Sequence, residues 1–431
     1  MKHLITIILF IILATAAHAG EPAGGKLTLD ECISIALREN SSIKLSAYSV
    51  TGAEKNKDEA FTQFLPKLTG KASYMRLDEV PTTNIPGFGN IPMGSKETID
   101  MSVELTQPLF TGGRIKSGYD ISKSTYDSAK KENELTKKDV AREVTENYFQ
   151  VLKVKKLGEI SKSSRDLLSS HLADVEAFFE AGMVSKNDVL SVKVSLSNAE
   201  NMLIKATNGY ELAKSSLNFT LNRDVNADVT LQDIDEMITP LDVTLKESTS
   251  RALSNREELK IINNAKSINK SLINIEKSAH YPQFYFIGSY KETGDKMPLD
   301  SNYYSALVTM ELDIFSWGEK SSRIESQKIE LKKTHENEVI LKNSIRMEVK
   351  SAYLRLTQAA DEIKATKQAV EQADENYRIY DEKFKVNAAT STDVLDAENL
   401  ILTSKINYFQ ALYNYHIAKV NLKRATGEIT Y

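Results

Sequence analysis

The chain has 431 residues and a formal net charge of −4, because 55 basic residues are set against 59 acidic ones. This near balance leaves no overall basic surface, so nucleic-acid binding is not expected. The single cysteine excludes a disulfide framework and a multi-cysteine metal site. With only 18 glycines and 9 prolines, the composition excludes collagen-like and low-complexity proteins and is typical of long helices.

The N-terminal segment has the pattern of a secretory signal peptide. Lys2 supplies a short basic start, residues 4–13 are almost entirely apolar, and Ala17 and Ala19 are the small residues of a cleavage site that ends at residue 19. The alternative is an uncleaved anchor helix, but the apolar run is shorter than the ~20 residues that span a bilayer. We therefore expect residues 1–19 to be removed on export, and no later segment to cross a membrane as a helix.

The rest of the chain repeats itself. A shift of 216 residues aligns Pro66 with Pro282, and beyond a loop of unequal length the shift becomes 205. Matched proline, glycine and aromatic positions argue against chance similarity between two helical stretches. We expect a first copy at 20–223, an equatorial joining segment at 224–243 and a second copy at 244–431. Further matches are Phe110 with Phe315, Gly113 with Gly318, Tyr148 with Tyr353, and Asp188 with Asp393.

Each copy is predicted to contain a helix, two strands and two further helices. The first helix begins where Thr28 and Glu31 form a capping box. Long stretches without proline follow each pair of strands and predict helices far longer than average. The predicted elements are helix 28–64, strands 67–77 and 99–109, and helices 116–181 and 186–222 in the first copy. Those of the second copy are helix 245–280, strands 283–291 and 303–313, and helices 318–386 and 391–426.

The second predicted strand has the clearest pattern. From residue 99 onward apolar and polar residues alternate without error, which is the two-residue period of a strand with one apolar face. Four such strands are too few to close a barrel, and an open sheet edge in lipid leaves backbone groups unpaired. We therefore expect several copies to pool strands under cyclic symmetry, two giving eight strands and three giving twelve. The side chains predicted to face lipid are Ile99, Met101, Val103 and Leu105.

Each long helix is predicted to fold back on the helix that follows it. The breaks fall at Gly182 and at the matching Asn387, both common residue types at helix ends. A Ser or Thr three residues before Asp188 and Asp393 then caps the next helix. The expected fold is mostly helical, with long antiparallel coiled-coil hairpins joined to membrane-length strands. The coiled-coil seam of the second long helix is expected at Ile345, Val349, Ala352, Leu356, Ala359 and Ile363.

The duplicated order of helix, strand pair, Phe-x-x-Gly turn, long helix and Asp-Val-Leu restart resembles the TolC-like outer membrane efflux proteins. The resemblance covers nearly the whole chain beyond residue 19, including LTQPLFTGG at 105–113 and TDVLDA at 392–397. It implies a homotrimer in which a twelve-stranded transmembrane β-barrel continues into a periplasmic α-helical barrel. It also implies the outer membrane of a Gram-negative bacterium as the location, with outer membrane lipid around the barrel.

The same resemblance implies that the protein is the passive exit duct of a tripartite efflux system or of a type I secretion system. The implied partners are a periplasmic adaptor (a membrane fusion protein) and an inner-membrane pump of the RND, ABC or MFS type. The alternative is a periplasmic coiled-coil scaffold or adaptor without a pore. Cell fractionation separates the two, because a scaffold stays soluble after lysis whereas a membrane duct needs detergent.

The resemblance also assigns sites. Asp393 and Asp396 match the acids at the periplasmic mouth of the tunnel, so three chains would present six carboxylates at one pore constriction. Asp393 is equally explained as a first-turn acid at a helix start, and that alternative stays open. Phe384 and Ala389 stand where the family's gate has a tyrosine and an arginine, so its hydrogen-bonded and ionic locks are not expected. Gate or tip contacts are assigned to Asp188 and Phe384, and adaptor docking at the tip to Gly182, Lys186 and Asn387.

No enzyme chemistry is predicted. His335 and Glu336 begin a zinc-helix pattern, but the second histidine is missing. Ser41 and Lys44 fit Ser-x-x-Lys, a spacing that is common by chance and here falls on an amphipathic helix. We therefore expect no catalytic residue, no metal site and no cofactor.

Overall fold

The computed structural model describes residues 26–233, 243–294 and 302–429, and this part of the chain is mostly helical. The predicted signal peptide at 1–19 and residues 234–242 of the predicted joining segment lie outside the described residues. The first half contains α1 (Leu29–Glu39), α2 (Ser41–Thr62), β1 (Lys67–Arg76), β2 (Thr82–Ile85), β3 (Gly89–Pro92), β4 (Glu97–Phe110), α3 (Arg114–Glu180) and α4 (Lys186–Thr220). The second half contains α5 (Leu245–Asn255), α6 (Glu257–Ser278), β5 (Gln283–Thr293), β6 (Asn302–Glu311), α7 (Glu319–Lys385) and α8 (Ser391–Thr426).

The single helices expected at 28–64 and 245–280 are wrong, because each is split by one residue with extended backbone. Asn40 has ψ 128° between α1 and α2, and Arg256 has ψ 128° between α5 and α6. Both breaks are stabilised from elsewhere in the chain. The Asn40 side chain donates a 2.8 Å hydrogen bond to the Thr220 carbonyl. The Arg256 guanidinium donates a hydrogen bond to the Glu348 carboxylate on α7. Asparagine is a common N-cap residue, and the Asn40 side chain accepts a bond from the Ser42 N–H, so the sequence carried a local signal for the first break. Arginine is not a helix breaker, so the sequence carried no such signal at Arg256.

The membrane-length strands form one antiparallel sheet in the order β1-β4-β5-β6. Their ends differ from the predicted ones by a few residues; β5, for example, runs to Thr293 rather than to residue 291. The expectation of no strands beyond these four is wrong, because the segment that connects β1 to β4 contains β2 and β3. These two short strands pair with each other as a separate hairpin. Gly87 and Gly89 have φ values of +91° and +76° in its turn, a backbone conformation that glycine adopts without strain.

The helical body is held by apolar seams between the long helices. The six seam positions expected on α7 are all buried, and they pack with residues of α8 such as Leu412 and Leu422, so that prediction is confirmed. A second core surrounds Tyr148 on α3 and Leu217 on α4. Among the described helices, none is both long and apolar enough to cross a membrane.

A network of charged side chains joins the two halves beside these cores. Arg256 is buried and lies 2.6 Å from Glu258 and 2.5 Å from Glu348. Arg424 on α8 pairs with Glu258 and also with Asp139 on α3. Because every member of the network has an opposite charge at hydrogen-bond distance, the desolvation cost of burying the two guanidinium groups is offset locally.

Candidate functional site

The starts of α4 and α8, at the turn of each helical hairpin, are capped by the aspartates that the sequence singled out. The Thr390 hydroxyl and backbone N–H donate bonds of 2.6 and 2.8 Å to the Asp393 carboxylate. Ser185 makes the corresponding bonds of 2.7 and 2.9 Å to Asp188. These bonds, the side-chain hydroxyl first, hold the pKa of both aspartates below its ordinary value. Both residues therefore cap the helices that they begin, and both present a charged carboxylate near the turn of the hairpin.

Asp396 is exposed and lies three residues after Asp393 on α8. Residues three apart are neighbours on a helix surface, so the two carboxylates share one side of α8. Asp188 belongs to the other hairpin. The structure thus brings Asp393 and Asp396 together within the chain and places Asp188 on a different helix.

Phe384 lies inside the tip rather than on its surface. It is only 2% exposed, with its ring centroid 4.8 Å from that of His171 and 5.2 Å from that of Phe178. The same small core contains Val175 and Val394, so it includes residues from both hairpins. In the single chain Phe384 packs internally between the two hairpins, and its assignment to gate or tip contacts stays a prediction.

The predicted docking residues lie at the exposed turns. Gly182 and Asn387 both have left-handed backbone, with φ values of +73° and +58°, directly after α3 and α7. The following N–H group reaches back to a carbonyl of the last helical turn in each case, so both turns have a common C-terminal cap geometry. Lys186 is exposed at the first position of α4. Gly182, Lys186 and Asn387 therefore share the outermost turns of the helical hairpins.

Two buried polar contacts between α3 and α8 were missed by sequence reasoning. His171 Nε2 lies 3.0 Å from the Ser391 hydroxyl, and the Ser164 hydroxyl donates to the Glu398 carboxyl group. Burial lowers the pKa of His171 and raises that of Glu398. A signal for Glu398 existed, because it occupies the apolar seam spacing between Val394 and Ile401.

Glu398 opens onto a cleft of about 260 Å³ between α3 and α8. Its lining is mixed, with apolar groups such as Phe409 beside the charged ends of Lys156, Glu159 and Lys405. Within the described residues, no group of three or more His, Cys, Asp or Glu side chains could hold a metal ion.

At the sheet, the predicted lipid face is apolar and mostly open. The side chains of Ile99, Met101 and Val103 are about half exposed, whereas Leu105 is partly covered. The register places Leu68, Gly70, Ala72 and Tyr74 of β1 opposite Leu105, Val103, Met101 and Ile99, which extends this face across the neighbouring strand.

Comparison with known proteins identifies the family. Residues 32–223 and 249–428, which are most of the chain, match the family model described as outer membrane efflux protein. The chain belongs to the outer membrane efflux protein family.

Similar proteins span nearly the same length. The outer membrane efflux protein BepC of Brucella suis is 20% identical, over 97% of this chain and 90% of BepC. The outer membrane protein TolC of Salmonella enteritidis is 22% identical, over 90% of this chain and 80% of TolC. The crystal structure of the Campylobacter jejuni CmeC outer membrane channel superposes with a TM-score of 0.83 at 18% identity, covering 93% of this chain and 85% of CmeC.

As a member of the outer membrane efflux protein family, this protein is an efflux channel of the outer membrane that extends into the periplasm. The alternative of a scaffold without a pore is not favoured, because the family consists of channels. Channels of this family are not enzymes.

Proposed function

We propose that three copies of the chain assemble into one duct, with a twelve-stranded barrel in the outer membrane and a barrel of helices below it. The proposal rests on the open edges of the four-stranded sheet. Its outer strands, β1 and β6, each have one edge with no partner strand in the described chain. An apolar face with open edges is stable in lipid only when the edges are paired, and copies of the same chain supply matching edges.

The length of the helices supports a periplasmic role. Both α3 and α7 have 67 residues, which at 1.5 Å per residue is about 100 Å. A tunnel of this length would carry substrate across much of the periplasm toward the barrel. We propose that it forms the exit duct of a tripartite efflux system, with a periplasmic adaptor and an inner-membrane pump of the RND, ABC or MFS type. Service in a type I secretion system is the second candidate.

The experiment is the mass of the detergent-solubilised protein, together with its conductance in a planar bilayer. We expect a particle of three chains that conducts ions, because twelve strands enclose a lumen whereas eight are filled by side chains. A stable dimer, or a monomer without conductance, would contradict the proposal.

We further propose that the hairpin turns around Gly182, Lys186 and Asn387 dock the adaptor. The supporting observation is that these residues are exposed at the turns that follow α3 and α7. A cysteine in place of Lys186 is expected to crosslink to the adaptor in cells, whereas Asn90→Cys in the β2–β3 hairpin serves as the control at the other end of the strands. Crosslinks only from position 90 would mean that the molecule faces the opposite way.

Finally, we propose that Asp393 and Asp396 of three copies form a ring of six carboxylates that attracts cations at the periplasmic mouth. Their shared side of α8 supports this role. The capping bonds of Asp393 do not oppose it, since the capping carboxylate stays ionised.

A further inference from the structure

We propose that neighbouring copies join through one fixed strand register, in which Glu311 on β6 of one copy lies opposite Lys71 on β1 of the next. This inference rests on the proposed trimer and adds the residues that specify its contacts. It also places Glu319 of the same copy beside Lys67 of the next.

The register follows from a strand junction that the chain already contains, the pairing of β4 with β5, which we call the internal seam. Strand β4 closes the first half, β5 opens the second, and the two pair antiparallel. Strand β6 is the sequence counterpart of β4 at the shift of 205, and β1 is the counterpart of β5 at the shift of 216. A closed barrel of alternating halves therefore repeats the β4–β5 seam wherever β6 of one copy meets β1 of the next. A barrel closes evenly only when the strand stagger is the same at equivalent seams.

Applying the shifts of 205 and 216 residues to the observed β4–β5 pairs gives the expected β6–β1 pairs between copies. The pair Thr106 and Ile287 becomes Glu311 and Lys71, which replaces a neutral pair by opposite charges. Three further pairs in the chain are Leu105 with Gly288, Glu104 with Ser289, and Val103 with Tyr290. Their counterparts between copies are Met310 with Ala72, Thr309 with Ser73, and Val308 with Tyr74.

The chemistry of the translated pairs fits this register. Glu311 and Lys71 are both exposed in the single chain, and both lie on the polar face of the sheet with Glu104 and Ser289. A slip by two residues would place Glu311 opposite Thr69 or Ser73 and lose the ion pair. A slip by one residue would exchange the apolar and polar faces. Opposite charges directly across a strand pair favour one register over its neighbours.

A second contact lies just below the sheet. In the chain, Arg114 at the start of α3 donates a 3.0 Å bond to the Tyr285 hydroxyl and lies 3.4 Å from Gln283. The counterparts of Arg114 and Gln283 are Glu319 and Lys67, again opposite charges. The nearby ring contact of Phe110 with Phe284 likewise becomes Phe315 against Leu68. These two side chains are 71% and 68% exposed in the single chain, so burying them together removes a large apolar surface from water.

One position shows where the two seams must differ. A Cβ atom on Gly112 would lie 2.7 Å from the Ser278 carbonyl, so the internal seam leaves no room for a side chain there. The counterpart of Gly112 is Trp317, which is 90% exposed. The seam between copies is therefore wider at this turn, and the long side chains of Glu319 and Lys67 can span it.

Cysteine pairs test the register in the full-length protein in outer membranes, with the native Cys32 replaced by alanine. We expect oxidation to give covalent dimers and trimers with Ala72→Cys plus Met310→Cys, or with Ser73→Cys plus Thr309→Cys. In an antiparallel pair of strands the Cα–Cα distance alternates between wider and closer pairs, so at least one of the two cysteine pairs should form a disulfide. The matched control is Tyr74→Cys plus Met310→Cys, which lies two residues out of register and should not bridge.

Bridging of the control in place of the matched pairs would overturn the register. No bridging in any pair, with a trimer mass retained, would overturn the register and leave the proposed trimer standing. A monomer mass for the unmodified protein would instead contradict the proposed function itself.

A charge exchange tests the ion pair separately. Lys71→Glu and Glu311→Lys should each lower, several-fold, the fraction of trimer that survives heating in detergent. The double variant should restore most of that fraction, because the opposite charges face each other again. A double variant no more stable than either single one would show that the two side chains do not meet.

Discussion

Glu398 lies on α8 where that helix packs against α3, and it is 6% exposed. Its partner in the chain is the Ser164 hydroxyl, and the desolvation of its carboxyl group raises its pKa. A carboxyl group whose pKa is higher in the folded protein keeps its proton to a higher pH than in the unfolded chain. The stability that this adds is complete below the unfolded pKa and is lost as the pH rises through the folded pKa.

We predict that Glu398→Gln raises the thermal midpoint of the protein at neutral pH and has little effect in acid. The amide keeps a hydrogen-bond acceptor for Ser164 and removes the buried charge. Midpoints measured from about pH 4 to about pH 8 should show the gap between variant and wild type widening with pH. Glu159→Gln in the same cleft is the control, since Glu159 is exposed. A gap that stays constant with pH would mean that Glu398 does not titrate in this range.

Strand β4 has one apolar face and one polar face. Its odd-numbered side chains from residue 99 to 105 are apolar, and its even-numbered ones include Asp100 and Glu104. The pairing with β1 and β5 fixes which side each set faces, because both neighbours are in register over most of their length.

We predict that Val103→Arg costs about 2–4 kcal/mol of folding free energy, if residue 103 lies near the bilayer midplane. The matched control is Ser102→Arg, which places the same side chain on the polar face of the same strand. Trimer yield in outer membranes, together with resistance to heating in detergent, measures both. Wild-type yield for Val103→Arg would show that this face does not contact lipid.

In the proposed assembly, the whole molecule decides the role of the tip aspartates. One chain contributes only two carboxylates, on α8, and three chains would bring six to a single opening. Negative charges gathered at a narrow opening attract cations. An aspartate that is a cap in the single chain therefore gains a second role only after assembly.

We predict that a divalent cation such as Mg²⁺, added on the periplasmic side, blocks conductance in a planar bilayer and that lower pH weakens the block. Asp393→Asn with Asp396→Asn should abolish the block and leave the trimer mass unchanged. Asparagine retains an oxygen acceptor for the Thr390 cap, so helix α8 should persist. Asp188→Asn, which alters the matching cap on α4, is the control and should keep the block. Unchanged block in the double variant would return both aspartates to ordinary helix-start roles.

Features that depend on local chemistry could be predicted from the sequence alone. Capping pairs such as Thr390 with Asp393 act over three residues, and strict alternation in β4 is a two-residue pattern, so both are complete within a short stretch. The seam on α7 is likewise set by spacing along one helix. The left-handed turns at Gly182 and Asn387 follow from residue type and position, because few residues tolerate positive φ.

Features whose partners are distant in sequence depend on how the whole chain folds. Asn40 ends α1 through a carbonyl 180 residues away, and Arg256 ends α5 beside a carboxylate 92 residues away. Phe384 is buried because α3 packs against the second hairpin, which no local pattern records. The seam spacing indicates that Glu398 is buried, but its partner Ser164 lies 234 residues away in sequence. Such contacts depend on which elements meet, and that is settled by burying apolar seams jointly rather than by the propensity of any one segment.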